Sequence, residues 1–339
     1  MLQPKEILDR FELMNPNVTV LQDVRRSILD KDESSIFRVL GELSQQKILV
    51  EELRKTTMEV NGHSLFRLLE SGLGIATEDI RRAFLEKNLH SVFRILEKID
   101  PNNDKIDLYR KALLNETHMY DILKLFIDSH LLTTIRKIEE RYTDIDIHDC
   151  FSRGQLQSKM WLINELKKTS LGLGTVFICA GWYGSLASLL FEKGFTLDKI
   201  RSFDIDPSCA KIAEELNRPY VMENWKFKAS TKDILDLKLS GDHYTTVKSN
   251  GDEEELFDEP DTIINTSCEH IENWTSWWNL IPEGKKVVLQ INNYSELPEH
   301  VNCVQNVEEF KEIAPLSTVL FEGGINLGKY TRFMLIGIK

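Results

Sequence analysis

A short pattern returns four times in the first 145 residues and narrows the architecture more than any other stretch of the chain. The basic pair Arg25-Arg26 is followed, ten residues after Arg25, by SIFRVL from Ser35; Arg54-Lys55 leads in the same way to SLFRLL from Ser64, Arg81-Arg82 to SVFRIL from Ser91, and Arg110-Lys111 to YDILKL from Tyr120. The four second motifs begin 29, 27 and 29 residues apart. A pattern that keeps both its residues and its internal offset marks a structural repeat.

Apolar residues recur within each unit at spacings of three and four, the period of an amphipathic helix. Each unit has room for two helices of about 10 to 12 residues, broken at Asn61-Gly62, Leu73-Gly74 and Pro101-Asn102-Asn103, where Gly and Pro disfavour continuation. The unit is therefore a helical hairpin. One hairpin cannot bury its own apolar face, so the hairpins must stack into a small solenoid or bundle of either hand. The period falls short of the ankyrin repeat, and that repeat's T-P-L-H turn is missing.

Stacking would align Arg25, Arg54, Arg81 and Arg110 in a ladder, with Arg38, Arg67 and Arg94 as a second row. Such a ladder could meet an anionic partner, whether nucleic acid or acidic protein. Alternatively its cations pair inside the domain, with acids such as Glu51 and Glu52 or along one helix, as Glu78 with Arg82. Nearly equal numbers of both signs in this half favour pairing, while over the whole chain 42 Lys and Arg face 54 Asp and Glu, a net of -12. That field opposes non-specific adhesion to nucleic acid or anionic lipid.

From about residue 174 the periodicity changes. Short β-branched runs at 175–180, 200–203, 225–228, 262–264, 286–291, 318–322 and 331–338 alternate at first with helical stretches at 185–193, 207–216 and 274–280. Strand and helix in alternation imply a parallel sheet with helices on both faces. The last two runs read as an antiparallel hairpin joined through Gly323, Gly324 and Gly328. Residues 152–168 read as an amphipathic helix leading into the first strand, and the acidic run 251–259 as a solvated loop. The expected division is an all-α domain of four hairpin repeats over 1–148 and an α/β domain over 149–339.

No run of about 18 apolar residues occurs, and the opening MLQPKEILDRFE is charged within five residues, so neither a membrane span nor a secretory leader is expected. Five scattered cysteines without a C-x-x-C pair argue against a disulfide framework. A reducing, cytoplasmic setting is expected.

The first strand runs through Ala180 into Gly181-Trp182-Tyr183-Gly184 and then directly into a helix. Glycines there allow close backbone approach and leave helix N-terminal amides free for a ligand. The second strand ends at Asp204, 23 residues after Gly181. A carboxylate at that point can accept hydrogen bonds from both ribose hydroxyls of an adenosine ligand in the crevice at the strand ends. Asp206 and Pro207 are left to begin the next helix. The third strand is followed by Thr231-Lys232-Asp233-Ile234.

In these residues the chain resembles the class I S-adenosylmethionine-dependent methyltransferases. The resemblance covers about 150–339 and implies a Rossmann-like sheet of seven strands, the last antiparallel, with S-adenosylmethionine as cofactor. It places Ala180, Gly181 and Gly184 in the cofactor loop, Asp204 and Ile205 at the ribose and adenine, and Asp233 with Ile234 at the adenine. The whole-chain arrangement is also similar to methyltransferase-like proteins of large tailed phages. G-x-G-x-x-G is incomplete, which argues against a nicotinamide-dependent dehydrogenase.

The fourth strand ends in Asn265-Thr266-Ser267-Cys268-Glu269-His270. Asn265 matches the first position of the target-binding motif of amine methyltransferases, whereas the prolines and tyrosine of that motif are missing. Methyl transfer to a neutral oxygen or nitrogen must release a proton, so Glu269 and His270 are candidate bases; otherwise they begin a helix and bond a nearby carbonyl. Trp274, Trp277 and Trp278 form a helical stripe that reads as core, with stacking on a planar substrate as the alternative for Trp274. Tyr183, Asn292 and Tyr294 complete the expected substrate pocket. Cys268, His270, His300 and Cys303 carry metal-donor atoms, but their spacing suggests two pairs at separate strand ends, so no metal is expected.

The expected activity is methyl transfer to an unidentified nitrogen or oxygen of a small molecule, nucleic acid or protein, with the helical repeats recognising substrate or partner. Two alternatives stand beside it. A helical domain ahead of FDIDPS is similar to nicotianamine synthase, which transfers an aminocarboxypropyl group from the same cofactor. A non-catalytic scaffold is suggested by the bulky Trp182-Tyr183 pair and by Ile178 and Cys179 where the family carries an acid.

Overall fold

A computed structural model describes residues 2–142, 145, 147–248 and 250–339. Contacts divide the chain into two units, Met1–Leu132 and Thr133–Lys339. The division falls before the expected 148/149 position. The change of periodicity near 174 marks the first strand, whereas the residues just ahead of it already belong to the sheet unit by their contacts.

The first unit is a run of helices: α1 (Pro4–Met14), α2 (Val20–Leu29), α3 (Glu33–Leu43), α4 (Lys47–Met58), α5 (Gly62–Glu70), α6 (Thr77–Leu85), α7 (Leu89–Ile99), α8 (Asp104–Asn115) and α9 (Met119–Leu123). Helix α10 (Leu131–Arg141) begins at its end. The hairpins α2–α3, α4–α5 and α6–α7 are the first three sequence repeats, and α8 with the short α9 is the fourth.

One local device builds the first three. Each chain reversal passes through a left-handed residue, Lys31, Val60 or Lys87. The N-cap that follows, Asp32, Asn61 or Asn88, accepts the backbone N–H of Ser35, Ser64 or Ser91, satisfying a donor the helix start would leave open. From the second helix, Arg38, Arg67 and Arg94 then reach Asp23, Glu52 and Asp79 on the first, at 2.8, 2.6 and 2.7 Å. The repeated arginine is thus an interhelix strut.

The ladder arginines are paired as well. Arg25 meets Asp9 at 2.9 Å, Arg54 meets Glu51 at 2.7 Å, Arg81 meets Glu78 at 2.8 Å and Arg110 meets Asp107 at 2.5 Å. Arg82 also reaches Glu78, four residues back.

The second unit is an α/β sandwich. Helix α11 (Arg153–Thr169) leads into β1 (Gly174–Cys179), followed by α12 (Ser185–Glu192), β2 (Leu197–Asp204), α13 (Cys209–Leu216), α14 (Arg218–Met222) and β3 (Phe227–Thr231). Then come β4 (Asp242–Val247), β5 (Glu253–Asp258), β6 (Thr262–Asn265), α15 (Trp274–Leu280), β7 (Lys286–Asn292), α16 (Val307–Ile313), β8 (Thr318–Asn326) and β9 (Thr331–Ile338).

Seven strands form one sheet in the order β3-β2-β1-β6-β7-β9-β8. All pairings from β3 to β7 are parallel, and β9 runs antiparallel to both β7 and β8. This is a Rossmann-like sheet in which β9 alone runs against the other strands. Alternate residues face opposite ways along a strand, so Phe177 and Cys179 of β1, Ile263 of β6 and Val287, Leu289 and Ile291 of β7 share one core with Trp274, Trp277, Trp278 and Phe310.

Two expectations are corrected here. The acidic run does not form a solvated loop: Glu253–Asp258 is a strand paired antiparallel with β4. Exposed acids alternate along it with less exposed positions, and its last residue is buried. Asp258 receives the Arg201 Nε–H at 2.6 Å and the Tyr244 hydroxyl at 2.6 Å, and pairs with Lys199. Burial would raise the Asp258 carboxyl, but bonds from Lys199 and Tyr244 and the charge of Arg201 hold it below the usual range. At the other end of the sheet, Gly323 and Gly324 lie inside β8 rather than in the turn.

Candidate functional site

The topology reverses between β1 and β6, with β2 and β3 on one side and β7 on the other. Such a switch point opens a crevice at the carboxyl ends of the strands. The register pairs Ile178 with Ile264, so Asn265 ends β6 at the level where β1 gives way to its loop. The sequence-derived cofactor and catalytic candidates consequently lie at the carboxyl ends of neighbouring strands.

The loop after β1 is held by its backbone. Gly181 donates its N–H to the Phe203 carbonyl at 2.9 Å, and a Cβ there would overlap the Ser202 hydroxyl. Gly184 caps α12 at φ 69°, the left-handed region that favours glycine. The buried Asn217 donates to the Gly184 carbonyl at 3.1 Å and accepts from Ser188 at 2.8 Å. Ala180 and Trp182 also lie at positive φ, 55° and 49°, a costly choice for residues with a Cβ that is concentrated at functional sites. The rings of Trp182 and Tyr183 stack with centroids 5.0 Å apart.

Asp204 is where three segments converge. Its Oδ2 accepts the Trp182 N–H at 2.8 Å and its Oδ1 the Asp206 N–H at 3.1 Å, while its carbonyl accepts the Lys232 N–H at 2.9 Å. Asp206 accepts the Ser208 N–H at 2.8 Å and closes a turn ahead of α13, but the helix starts later than expected, at Cys209 with Ser208 at its N-cap. Ile205 is 68% exposed directly beside the carboxylate. Asp233 accepts the Leu235 N–H at 2.9 Å, and Ile234 packs partly against the core.

On the β6 side the polar groups are deeper. Asn265 is fully buried; its Oδ1 accepts the Ser267 N–H at 2.8 Å, and its Nδ2 has no hydrogen-bond partner among the described residues. Glu269 is 2% exposed and its Oε1 receives Asn292 Nδ2 at 2.6 Å and Arg332 Nη2 at 3.1 Å. Arg332 also donates to the Thr266 carbonyl at 2.7 Å. The register setting Asn292 opposite Arg332 makes this cluster possible.

His270 and His300 face each other with ring centroids 4.6 Å apart. The expectation that their motifs would sit at separate strand ends is corrected, because the chain after β7 folds back toward the end of β6. Asn302 donates its N–H to the Glu269 carbonyl at 3.0 Å and its side chain to the Cys268 carbonyl at 3.3 Å.

Two substrate candidates are reassigned. Trp274 is buried in the core and donates its indole N–H to the Ile313 carbonyl at 2.7 Å, so the tryptophan stripe is packing. Asn292 is 1% exposed and positions Glu269, leaving no free edge for a substrate. Tyr294 is half-buried, stacks on Tyr330 and lies under the Lys329 ammonium, 4.2 Å from its centroid. Burial pushes the Cys179 thiol up to about 12, and burial with the charge of Glu269 raises Cys268 and Cys303.

Sequence reading missed Arg332. A lone charge in the apolar strand TRFMLIGI was its signal, since an inward arginine must find a partner.

No family model and no curated protein matches this chain. Solved structures do. It is similar to the N-methyltransferase NodS of Bradyrhizobium japonicum crystallised with S-adenosylhomocysteine, at 13% identity and a TM-score of 0.38 over 60% of this chain and 98% of that one. It is similar also to the magnesium protoporphyrin IX methyltransferase of Synechocystis PCC 6803 with bound S-adenosylmethionine, at 14% identity and 0.35 over 70% and 97%. A third is phosphoethanolamine N-methyltransferase 2 of Haemonchus contortus, at 11% and 0.34 over 57% of this chain and 60% of that one. At such identities the likeness concerns fold, and the fold here rests on the strand order itself.

Proposed function

We propose that this protein is an S-adenosylmethionine-dependent methyltransferase acting on a nitrogen or oxygen nucleophile, with its helical unit holding the substrate or its carrier. The observation that carries the reading is the Asp204 carboxylate, fixed at the switch-point crevice by two backbone amides. A carboxylate offers about four lone-pair directions, so two remain for a pair of ribose hydroxyls. Exposed Ile205 beside it and Ile234 beyond give apolar cover for a purine, and Asp233 stands where an exocyclic amine needs an acceptor. Gly181 and the left-handed backbone at Ala180, Trp182 and Gly184 keep the loop pressed on β2.

Bound there, S-adenosylmethionine supplies a methyl group already activated on a sulfonium. The chain's own residues then have to align the acceptor and exclude water. The orphaned Asn265 N–H is a donor in need of an acceptor atom, and Tyr183 and Tyr294 offer partly exposed rings at the rim. Nδ1 of His270 lies 3.2 Å from the Glu299 carbonyl; a carbonyl only accepts, so Nδ1 holds the proton and Nε2 presents a lone pair. In the helical unit every ladder arginine already has a carboxylate, so an anionic partner would engage it by exchanging those internal pairs.

The test is calorimetric titration of S-adenosylmethionine and S-adenosylhomocysteine into wild type and Asp204→Ala. Micromolar binding weakened about tenfold or more in the variant is expected, since hydrogen bonds to a charged acceptor contribute about 1.5 to 3 kcal/mol each. A folded wild type that binds neither ligand refutes the proposal. Product analysis then separates methyl transfer, which leaves S-adenosylhomocysteine, from aminocarboxypropyl transfer, which leaves methylthioadenosine.

A further inference from the structure

Glu269 presents an imbalance that methyl transfer by itself does not explain. Its Oε1 is filled by Asn292 and Arg332, yet its Oε2 is buried with no hydrogen-bond partner among the described residues. Buried carboxylate oxygens are rarely left so, because each has lost its water and gained nothing. Asn292 and Arg332 fix the carboxylate from behind, as outer groups orient a metal-binding carboxylate.

Two histidines stand at the same point. His270 Nδ1 lies 3.2 Å from the Glu299 carbonyl and His300 Nδ1 lies 2.5 Å from the Tyr294 carbonyl. Each carbonyl fixes the proton on Nδ1 and leaves Nε2 as the donor, the arrangement that holds metal-ligating imidazoles in one tautomer. One donor atom from each of Glu269, His270 and His300 lies within 4.8 Å of the other two. A cation holding nitrogen and oxygen donors at about 2.0 to 2.2 Å draws them to roughly 3 to 4 Å apart, within reach of small rotations of the two imidazoles.

We propose that Glu269, His270 and His300 form a three-ligand site for a divalent transition-metal ion, with the remaining coordination positions open to the substrate. Two imidazoles and one carboxylate suit zinc, manganese, iron or cobalt rather than magnesium or calcium, which prefer all-oxygen sets. Three protein ligands mark a catalytic rather than a structural site, because a structural zinc closes its fourth position with protein. Resting on the methyltransferase reading, the site narrows the acceptor to a group whose oxygen or nitrogen a cation can hold beside the crevice. The Nε2 lone pair of His270 then serves the ion, and orientation of the acceptor passes from a base to the metal.

The experiment uses the full chain stripped by chelator, titrated calorimetrically with zinc alone and, in parallel, with cobalt followed by visible absorption. One equivalent of each ion bound at micromolar strength or tighter is expected, with His300→Ala and His270→Ala each weakening binding at least tenfold. His270 is exposed and His300 half-buried, so these variants leave the core intact. Glu269→Gln is secondary because it disturbs buried Arg332. S-adenosylhomocysteine is titrated separately into each protein. Nucleoside binding without one-to-one metal binding overturns the metal site and spares the methyltransferase reading; histidine-dependent metal binding without nucleoside binding does the reverse. Metal binding unchanged in both histidine variants reports surface ligands and overturns the site.

Discussion

Replacing Lys159 with methionine should stabilise the sheet unit at neutral pH, by an amount that depends on pH in one specific way. Lys159 lies on α11 and is 6% exposed. Its ammonium finds the Gln155 side-chain oxygen at 2.6 Å and the Cys150 carbonyl at 3.4 Å, with no carboxylate of the described residues in hydrogen-bonding contact. Burial is the main cause that pushes its pKa from 10.5 down to about 8; Arg332 adds to the effect, and Cys150 and Asp149 oppose it. At ~1.4 kcal/mol per factor of ten in proton affinity, that gap amounts to about 3 kcal/mol. The sign follows from linkage. Below pH 8 both states carry the charge and the folded state bears the full cost. Between 8 and 10.5 only the unfolded chain binds the proton, so stability rises with pH, and above 10.5 the cost is gone.

Lys159→Met removes the titrating group at similar length and forfeits two hydrogen bonds from a charged donor, the short one to Gln155 contributing about 1.5 kcal/mol and the long one to Cys150 little. The expected gain at pH 7 is therefore about 1 to 3 kcal/mol, shrinking to nothing or reversing near pH 10.5. All six tryptophans lie between Trp161 and Trp278, so urea unfolding followed by tryptophan fluorescence reads this unit alone. A difference between variant and wild type that stays constant from pH 7 to 10 would refute the reasoning, as would a clear loss of stability at pH 7.

Other consequences follow from particular contacts. Asp258→Ala strands buried Arg201 and should cost about 3 to 5 kcal/mol; the wild-type contribution, coming from a lowered carboxyl, should be present above pH ~4 and fade as pH falls further. Equal acid sensitivity of variant and wild type would contradict this. Gly184→Ala places a Cβ 2.8 Å from Asn217 Nδ2 and 3.1 Å from the Ala213 Cβ at φ 69°, so a loss of about 2 kcal/mol or more in chemical denaturation is expected, and a neutral result would mean the loop relaxes. Asn88→Ala removes the cap on Ser91 N and should lower helical-unit stability by about 1 kcal/mol, measured by far-ultraviolet circular dichroism; the same substitution at Asn61 should behave alike if the repeat device is general.

The sequence by itself determined what depends on neighbours along the chain. Helical hairpins and their period follow from residues a few positions apart, so the repeat and its break at Asn61-Gly62 were legible, whereas the Asp32 and Asn88 caps came from the structure. The parallel strands, the glycine loop and Asp204 were legible too, because strand, turn and helix propensities are local and their spacing is set by the βαβ unit.

Tertiary structure decided which side chains meet. Nothing local distinguishes the acids of 253–258 from a solvated loop; pairing with β4 and the buried partners of Asp258 made them a strand. Trp274 read as core with substrate stacking as the alternative, and the packing of α15 against the sheet decided for core. His270 and His300 lie 30 positions apart, and Arg332 is farther still from Glu269. Only the return of the chain after β7 and the antiparallel insertion of β9 bring these groups around one carboxylate. Contacts closed by long loops leave no period in a sequence, since their energy comes from burial and partner geometry rather than from the propensity of any segment.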